Sequence, residues 1–155
     1  MLLSEAIKEK VYIEETIANY IEQFIFLVAT KSDSVKTRST QEALLKEKKS
    51  ILNELYQKCQ KFAVAIERSR AKVIIKVNDM ELSLIDAITL RDALRKKYND
   101  LRLLKGELTA AQRSQIGIDV YESINELYSE MEKLLLNIKT LDFEIEYASW
   151  SSEVS

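Results

Sequence analysis

The chain has no histidine, no proline, one cysteine and two glycines among its 155 residues. The missing histidine removes the commonest general base, the commonest transition-metal ligand and any histidine-dependent nucleophilic triad. No glycine-rich phosphate loop occurs either. Without proline, and with glycine confined to Gly106 and Gly117, little interrupts a helix, and abundant Glu, Lys, Leu and Ile favour long ones. The single Cys59 cannot close an internal disulfide. It is spaced with Leu52, Leu55, Phe62 and Ile66, which reads as a buried structural thiol and suits a cytoplasmic protein. A formal net charge of −2, from 23 basic and 25 acidic residues, lacks the basic excess that duplex nucleic acid demands. The longest apolar run, six residues from Phe24 to Ala29, falls far below the roughly 18 that span a bilayer. The charged start, with Glu5, Lys8, Glu9 and Lys10, is not a signal peptide. No membrane role is expected.

What the sequence does have is heptads. Between residues 118 and 148 the apolar positions are Val120, Ile124, Leu127, Met131, Leu134, Ile138, Leu141 and Ile145. Their steps alternate between four and three, which keeps one stripe turned towards a partner helix. A helix of that span is roughly 45 Å long. It cannot bury its stripe alone, so the rest of the chain must supply partners. The length suits one domain. The expected fold is mostly α: an antiparallel bundle or coiled coil of about four long helices with one small β-hairpin at about 71–83.

Helix 1 is expected over about 2–30, and Leu3, Ile7, Ile13, Ile17, Ile21, Phe24 and Val28 mark its inner face. Its end, Phe24 to Val28, is apolar all round, which points to enclosure by more than one neighbour and to a homo-oligomer. Residues 31–40 form a polar loop, and Ser39 with Glu42 has the spacing of a capping box for helix 2 at about 40–69. Val73, Ile74, Ile75 and Val77, followed by Asn78-Asp79-Met80, read as a hairpin over about 72–83. Helix 3 is expected from Ser83, capped with Asp86, and carries Ile85, Ile88, Ala93, Leu94, Leu101 and Leu104. It should stop near residue 105, at Gly106. A linker over 107–117, with an extended piece near Ser114 to Ile116, leads to helix 4 at about 118–148, capped by Asp119 and Glu122. Trp150 in the tail is expected to tuck against the helices.

Cations supply the candidate chemistry. Arg91 and Arg95 stand at i and i+4, so both guanidinium groups leave one face of helix 3 and suit a phosphate or diphosphate. From spacing alone the readier reading is ion pairing with Asp92 and with Glu residues of the bundle. Arg68 and Arg70 at the end of helix 2, and Arg113 before helix 4, are further cations. Thr37 and Arg38 stand where the loop delivers into a helix N-terminus, which favours anions. Seven tyrosines offer amphipathic edges or stacking surfaces. The carboxylates Glu14, Glu15, Asp142, Glu144 and Glu146 form no metal-like constellation and read as solvated helix faces. No catalytic residue, metal site or cofactor is expected.

Four passages carry a likeness: LLSEAI at the start, AIERSRAKV before the hairpin, LSLIDAITLRDAL opening helix 3, and LDFEIEYASWSSEV at the end. By these the chain resembles the septicolysin-like family of small helical bacterial proteins. That family typically closes with a similar L-D-x-x-I-x-x-x-x-W-[ST]-[ST]-E ending. The architecture also looks like that of the phage anti-Thoeris sponge proteins, which bind cyclic nucleotide immune signals such as cyclic ADP-ribose isomers without cleaving them. Some relatives also bind cyclic oligonucleotides at a separate site in an oligomer. The resemblance implies a non-enzymatic sponge in which Arg91 and Arg95 hold the diphosphate. Arg68, Arg70, the hairpin with Asn78, and Arg113 would complete the pocket, and Thr37 with Arg38 would form a second site. Two features depart from the family: the linker AAQRSQIGIDV has fewer basic and aromatic residues, and the hairpin turn has no glycine. A structural or protein-interaction coiled-coil module without a small-molecule ligand fits the composition equally well. A metal-dependent phosphodiester hydrolase and a membrane-active toxin are weaker alternatives.

Overall fold

The computed structural model describes residues 1–29, 35–113 and 119–154. Among them are α1 (Leu3–Ala29), α2 (Val35–Lys72), β1 (Ile74–Val77), β2 (Met80–Ser83), α3 (Leu84–Arg113) and α4 (Asp119–Ser151). The fold is mostly α with one two-stranded antiparallel sheet, as the residue pattern anticipates. No helix is long and apolar enough to cross a membrane, among the described residues. The chain divides into two compact units, Met1–Ser69 with Trp150–Ser155, and Arg70–Ser149.

In the first unit α1 and α2 are antiparallel neighbours. Lys58 Nζ lies 3.5 Å from Glu9, and Lys48 Nζ donates to Gln23 at 2.7 Å, so α2 descends as α1 ascends. Leu3, Ala6, Ile13 and Ile17 are the buried apolar residues of α1, and Ile66 is that of α2. The chain ends are tied together. Leu3 N–H donates to Ser152 O at 2.8 Å, Val154 N–H donates to Met1 O at 3.0 Å, and Leu2 forms an antiparallel bridge with Glu153. These bonds satisfy backbone groups that a free terminus would leave to water. Glu5 accepts the Leu2 N–H at 2.8 Å and so caps α1. Trp150 remains half exposed beneath the Lys8 ammonium, 4.4 Å from its ring centre, rather than tucked in.

Three further expectations change in this unit. Helix α2 starts at Val35, so Thr37 and Arg38 are helical, and Ser39 with Glu42 lies inside the helix, where the backbone ladder takes the place of a capping box. Cys59 is half-buried rather than buried, with its Sγ 4.0 Å from Glu14 Oε1. Ile21 and Val28, expected on the inner face of α1, are exposed, and within the single chain Ile25 and Phe26 are exposed as well.

In the second unit the hairpin leads directly into α3. Val77 pairs with Met80 and Ile74 with Ser83, leaving Asn78-Asp79 as a two-residue turn. Both turn residues have positive φ, 49° and 65°, as a type I′ turn requires. Asn and Asp tolerate that region better than other non-glycine residues. Ser83 Oγ accepts the Asp86 N–H at 3.1 Å, which is the expected N-cap, and Leu84 N–H donates to Val73 O at 2.7 Å. That second bond sets the rotational phase of α3. Leu84 and Ala87 are therefore the fully buried positions, while Ile85, expected inside, is exposed. Nor does α3 stop at Gly106: it continues to Arg113 through Glu107, Leu108, Thr109, Ala110 and Ala111. An internal glycine costs a helix about 1 kcal/mol but ends it only by turning φ positive. Residues 107–113 are thus helix, and the extended piece near Ser114 to Ile116 lies outside the described residues, as do the side chains of the Asp119–Glu122 cap.

Helix α4 runs antiparallel to α3. Lys97 Nζ lies 3.0 Å from Glu130, and the Lys105 ammonium stands 3.9 Å over the Tyr128 ring. Ile124, Leu127, Met131, Leu134, Ile138, Leu141, Ile145 and Ala148 are all buried, so the heptad stripe is the core face of this unit. Val120 lies outside the described side chains.

Candidate functional site

The second unit holds an apolar cleft under the hairpin. Its volume is about 220 Å³, and its walls are Val77, Met80 and Leu82 of the hairpin, Leu90 and Leu94 of α3, and Leu141 of α4. Asn78, from the turn, and Asn137, from α4, supply the polar groups of its lining, and none of the lining side chains titrates. The positive φ at Asn78 is what brings the chain back as a tight turn over the helices. Apolar walls with a few placed carboxamides are the usual make-up of a small-molecule site. The space is enough for one flat ring system rather than a whole dinucleotide.

Each arginine of the i, i+4 pair directly follows a cleft-lining leucine: Leu90 then Arg91, Leu94 then Arg95. On α4, Asp142 likewise follows Leu141. The pair converges on that carboxylate. Arg95 Nη2 donates to both Asp142 oxygens at 2.9 and 3.0 Å, and Arg91 Nη1 reaches Asp142 Oδ1 at 3.4 Å. Arg91 Nε also donates to Asp92 Oδ1 at 3.0 Å. Two guanidinium groups thus face two carboxylates, and the cluster is formally neutral. An anion entering here would compete with Asp142 for the Arg95 and Arg91 donors. The Arg91 side chain is one-fifth exposed and that of Arg95 about half, so water reaches the cluster and screens its attractions. Asp142 reads from its spacing as a solvated carboxylate. It is instead the residue that holds the two guanidiniums together.

The other candidate cations are distributed along the chain. Arg68 belongs to the first unit and is exposed on α2, in a shallow groove with Gln57, Lys61 and Val64. Arg70 opens the second unit and is half-buried. Arg113 ends α3, and its side chain is outside the described residues. At 1.5 Å per residue it starts about 27 Å from Arg95 along the same helix, beyond the reach of two side chains. Within one chain, Arg113 therefore does not complete a pocket with Arg91 and Arg95. Arg38 is exposed in the first turns of α2, and the Thr37 side chain is outside the described residues.

The roles of Asn137 and Asp142 do not stand out in the sequence. Each adjoins a heptad-stripe residue, Ile138 and Leu141, and positions flanking a stripe are where polar side chains meet a neighbouring helix. That adjacency is the one signal that points to them. Among the described residues no group of three or more Cys, Asp or Glu is placed to hold a metal ion. No family model, no curated protein and no solved structure matches the chain.

Proposed function

We propose that the chain is a non-enzymatic binding protein that sequesters cyclic nucleotide signals in the bacterial cytoplasm. The ligands would be cyclic ADP-ribose isomers and, at a separate site, cyclic oligonucleotides, and their capture would counteract anti-phage defence. The observation that carries this reading is the adjacency of the cleft and the guanidinium pair in one compact unit. Apolar walls accept the face of a base, Asn78 and Asn137 can read its edge, and Arg91 with Arg95 suits the diphosphate. The cleft lining has no acid, base or nucleophile, which is consistent with holding a ligand rather than cleaving it. The resemblance of the AIERSRAKV, LSLIDAITLRDAL and LDFEIEYASWSSEV passages to the septicolysin-like family, and the likeness of the architecture to the anti-Thoeris sponge proteins, support the same reading.

Isothermal titration of the purified chain against cyclic ADP-ribose isomers and cyclic di- and trinucleotides tests it, with bound ligand recovered by heating and weighed by mass spectrometry. The expected result is saturable binding and intact recovery, with affinity falling at least about tenfold in Arg91→Ala/Arg95→Ala, since hydrogen bonds to charged groups contribute about 1.5–3 kcal/mol. Ligand returned hydrolysed, or no binding to any member, would remove the proposal.

A protein-interaction module is the second reading. The observation favouring it is the exposed apolar surface of α4.

A further inference from the structure

Helix α4 is apolar on two opposite faces. Each position two residues beyond a buried stripe residue lies about 200° around the helix from it. Leu136 stands in that relation to Leu134, Phe143 to Leu141 and Tyr147 to Ile145. These three are 66%, 67% and 64% exposed, against 7%, 2% and 7% for their buried counterparts. Their spacing of seven and then four residues repeats the heptad rhythm of the core stripe. Isolated surface apolar residues are ordinary, but three in register along one helix face form a seam.

We propose that this seam is the contact between two copies of the chain, packed antiparallel about Phe143. The charges beside it decide both the occupant and the direction. Lys139 and Glu146 are exposed, seven residues apart, and so lie on the same flank of the seam, on either side of Phe143. A two-fold axis perpendicular to the helices sets like flanks against each other in reverse order. It places Lys139 of each copy beside Glu146 of the partner subunit, giving two symmetric ion pairs on either side of a contact between the two Phe143 rings. Parallel packing brings the Lys139 flank against the Lys133 and Thr140 flank and forms neither pair. The seam is thus self-complementary in one orientation, the signature of an isologous interface. It is independent of the cleft and of what the cleft binds.

Sedimentation equilibrium of the full chain over a wide concentration range tests this. The wild type is expected to dimerise. Phe143→Asp should weaken association about thirtyfold or more, as loss of an interface hot spot does. Lys139→Glu should weaken it about tenfold by setting glutamates against each other in both pairs. The double variant Lys139→Glu/Glu146→Lys should regain the wild-type constant, because it reverses each pair without removing it. Both sites are solvent-exposed, so helicity by circular dichroism should stay unchanged and separate lost association from lost folding. A monomeric wild type overturns the proposal and leaves the seam to a different protein. A dimer untouched by Phe143→Asp, or a double variant no better than Lys139→Glu, overturns it as well.

Discussion

Helices α2 and α4 are of similar length, 38 and 33 residues, and both carry an apolar stripe at heptad spacing. They differ in how deeply that stripe is buried. On α4, Ile124, Leu127, Met131, Leu134, Ile138, Leu141, Ile145 and Ala148 are all buried. On α2, among the described side chains, Ile66 and Ser69 are buried, whereas Leu52, Leu55, Cys59 and Phe62 are half-buried and Leu44 is exposed. Periodicity therefore fixes the direction in which a helix turns its apolar side, and the depth of burial depends on what packs there. The functional consequence is local. The cleft and the arginine pair of α3 lie against the deeply packed α4, whose buried Leu141 lines the cleft and whose Asp142 binds both guanidiniums.

Two substitutions test that contrast directly, and two more test the start and the interior of α3. Ile138→Ala removes a side chain from the buried stripe of α4 and should cost about 2–5 kcal/mol in urea unfolding. Phe62→Ala, on the half-buried stripe of α2, should cost only about 1–2 kcal/mol despite its larger side chain, because part of its surface already meets water. Equal losses from the two would break the comparison. Ser83→Ala deletes the cap that accepts the Asp86 N–H and should cost about 1 kcal/mol, seen as a fall in the melting temperature. The smallest change should be a gain. A Cβ at Gly106 would meet nothing within 4 Å, and the residue is inside α3. Gly106→Ala should therefore stabilise by about 0.5–1 kcal/mol, and a loss would mean that the glycine is needed for a bend or a close approach.

The sequence disclosed these features unequally. The α4 stripe was legible because seven alternating steps of four and three rarely arise except on a packed helix face. The Ser83 cap and the hairpin were legible because they are local, set by residues within a turn of each other. The phase of α3 was not. Ile85 reads as an inner residue by spacing, but the Leu84-to-Val73 hydrogen bond rotates it outward, and that bond depends on the preceding strand. Gly106 misled for a related reason: a glycine ends a helix only where the chain turns, and the residues after it are good helix formers. At the site, the shared face of Arg91 and Arg95 followed from i, i+4 spacing. Their partner Asp142 is 47 and 51 residues away, and finding it requires the register of α3 against α4. The bonds of Ser152 and Val154 to the first residues were hidden likewise, since no local pattern joins two chain ends.

The competition at Asp142 is the most direct point at which to test the proposed site. In the proposed binding mode a phosphate would take over guanidinium donors that Asp142 now occupies, so Asp142→Asn should lower the cost of that exchange. Titration of the wild type and of Asp142→Asn with the same cyclic ADP-ribose isomers compares the two. Saturable binding to the wild type and several-fold tighter binding to the variant are expected, with helicity preserved. If neither protein binds, or if the variant binds more weakly while remaining folded, Arg91, Arg95 and Asp142 form a structural ion cluster and the site is elsewhere.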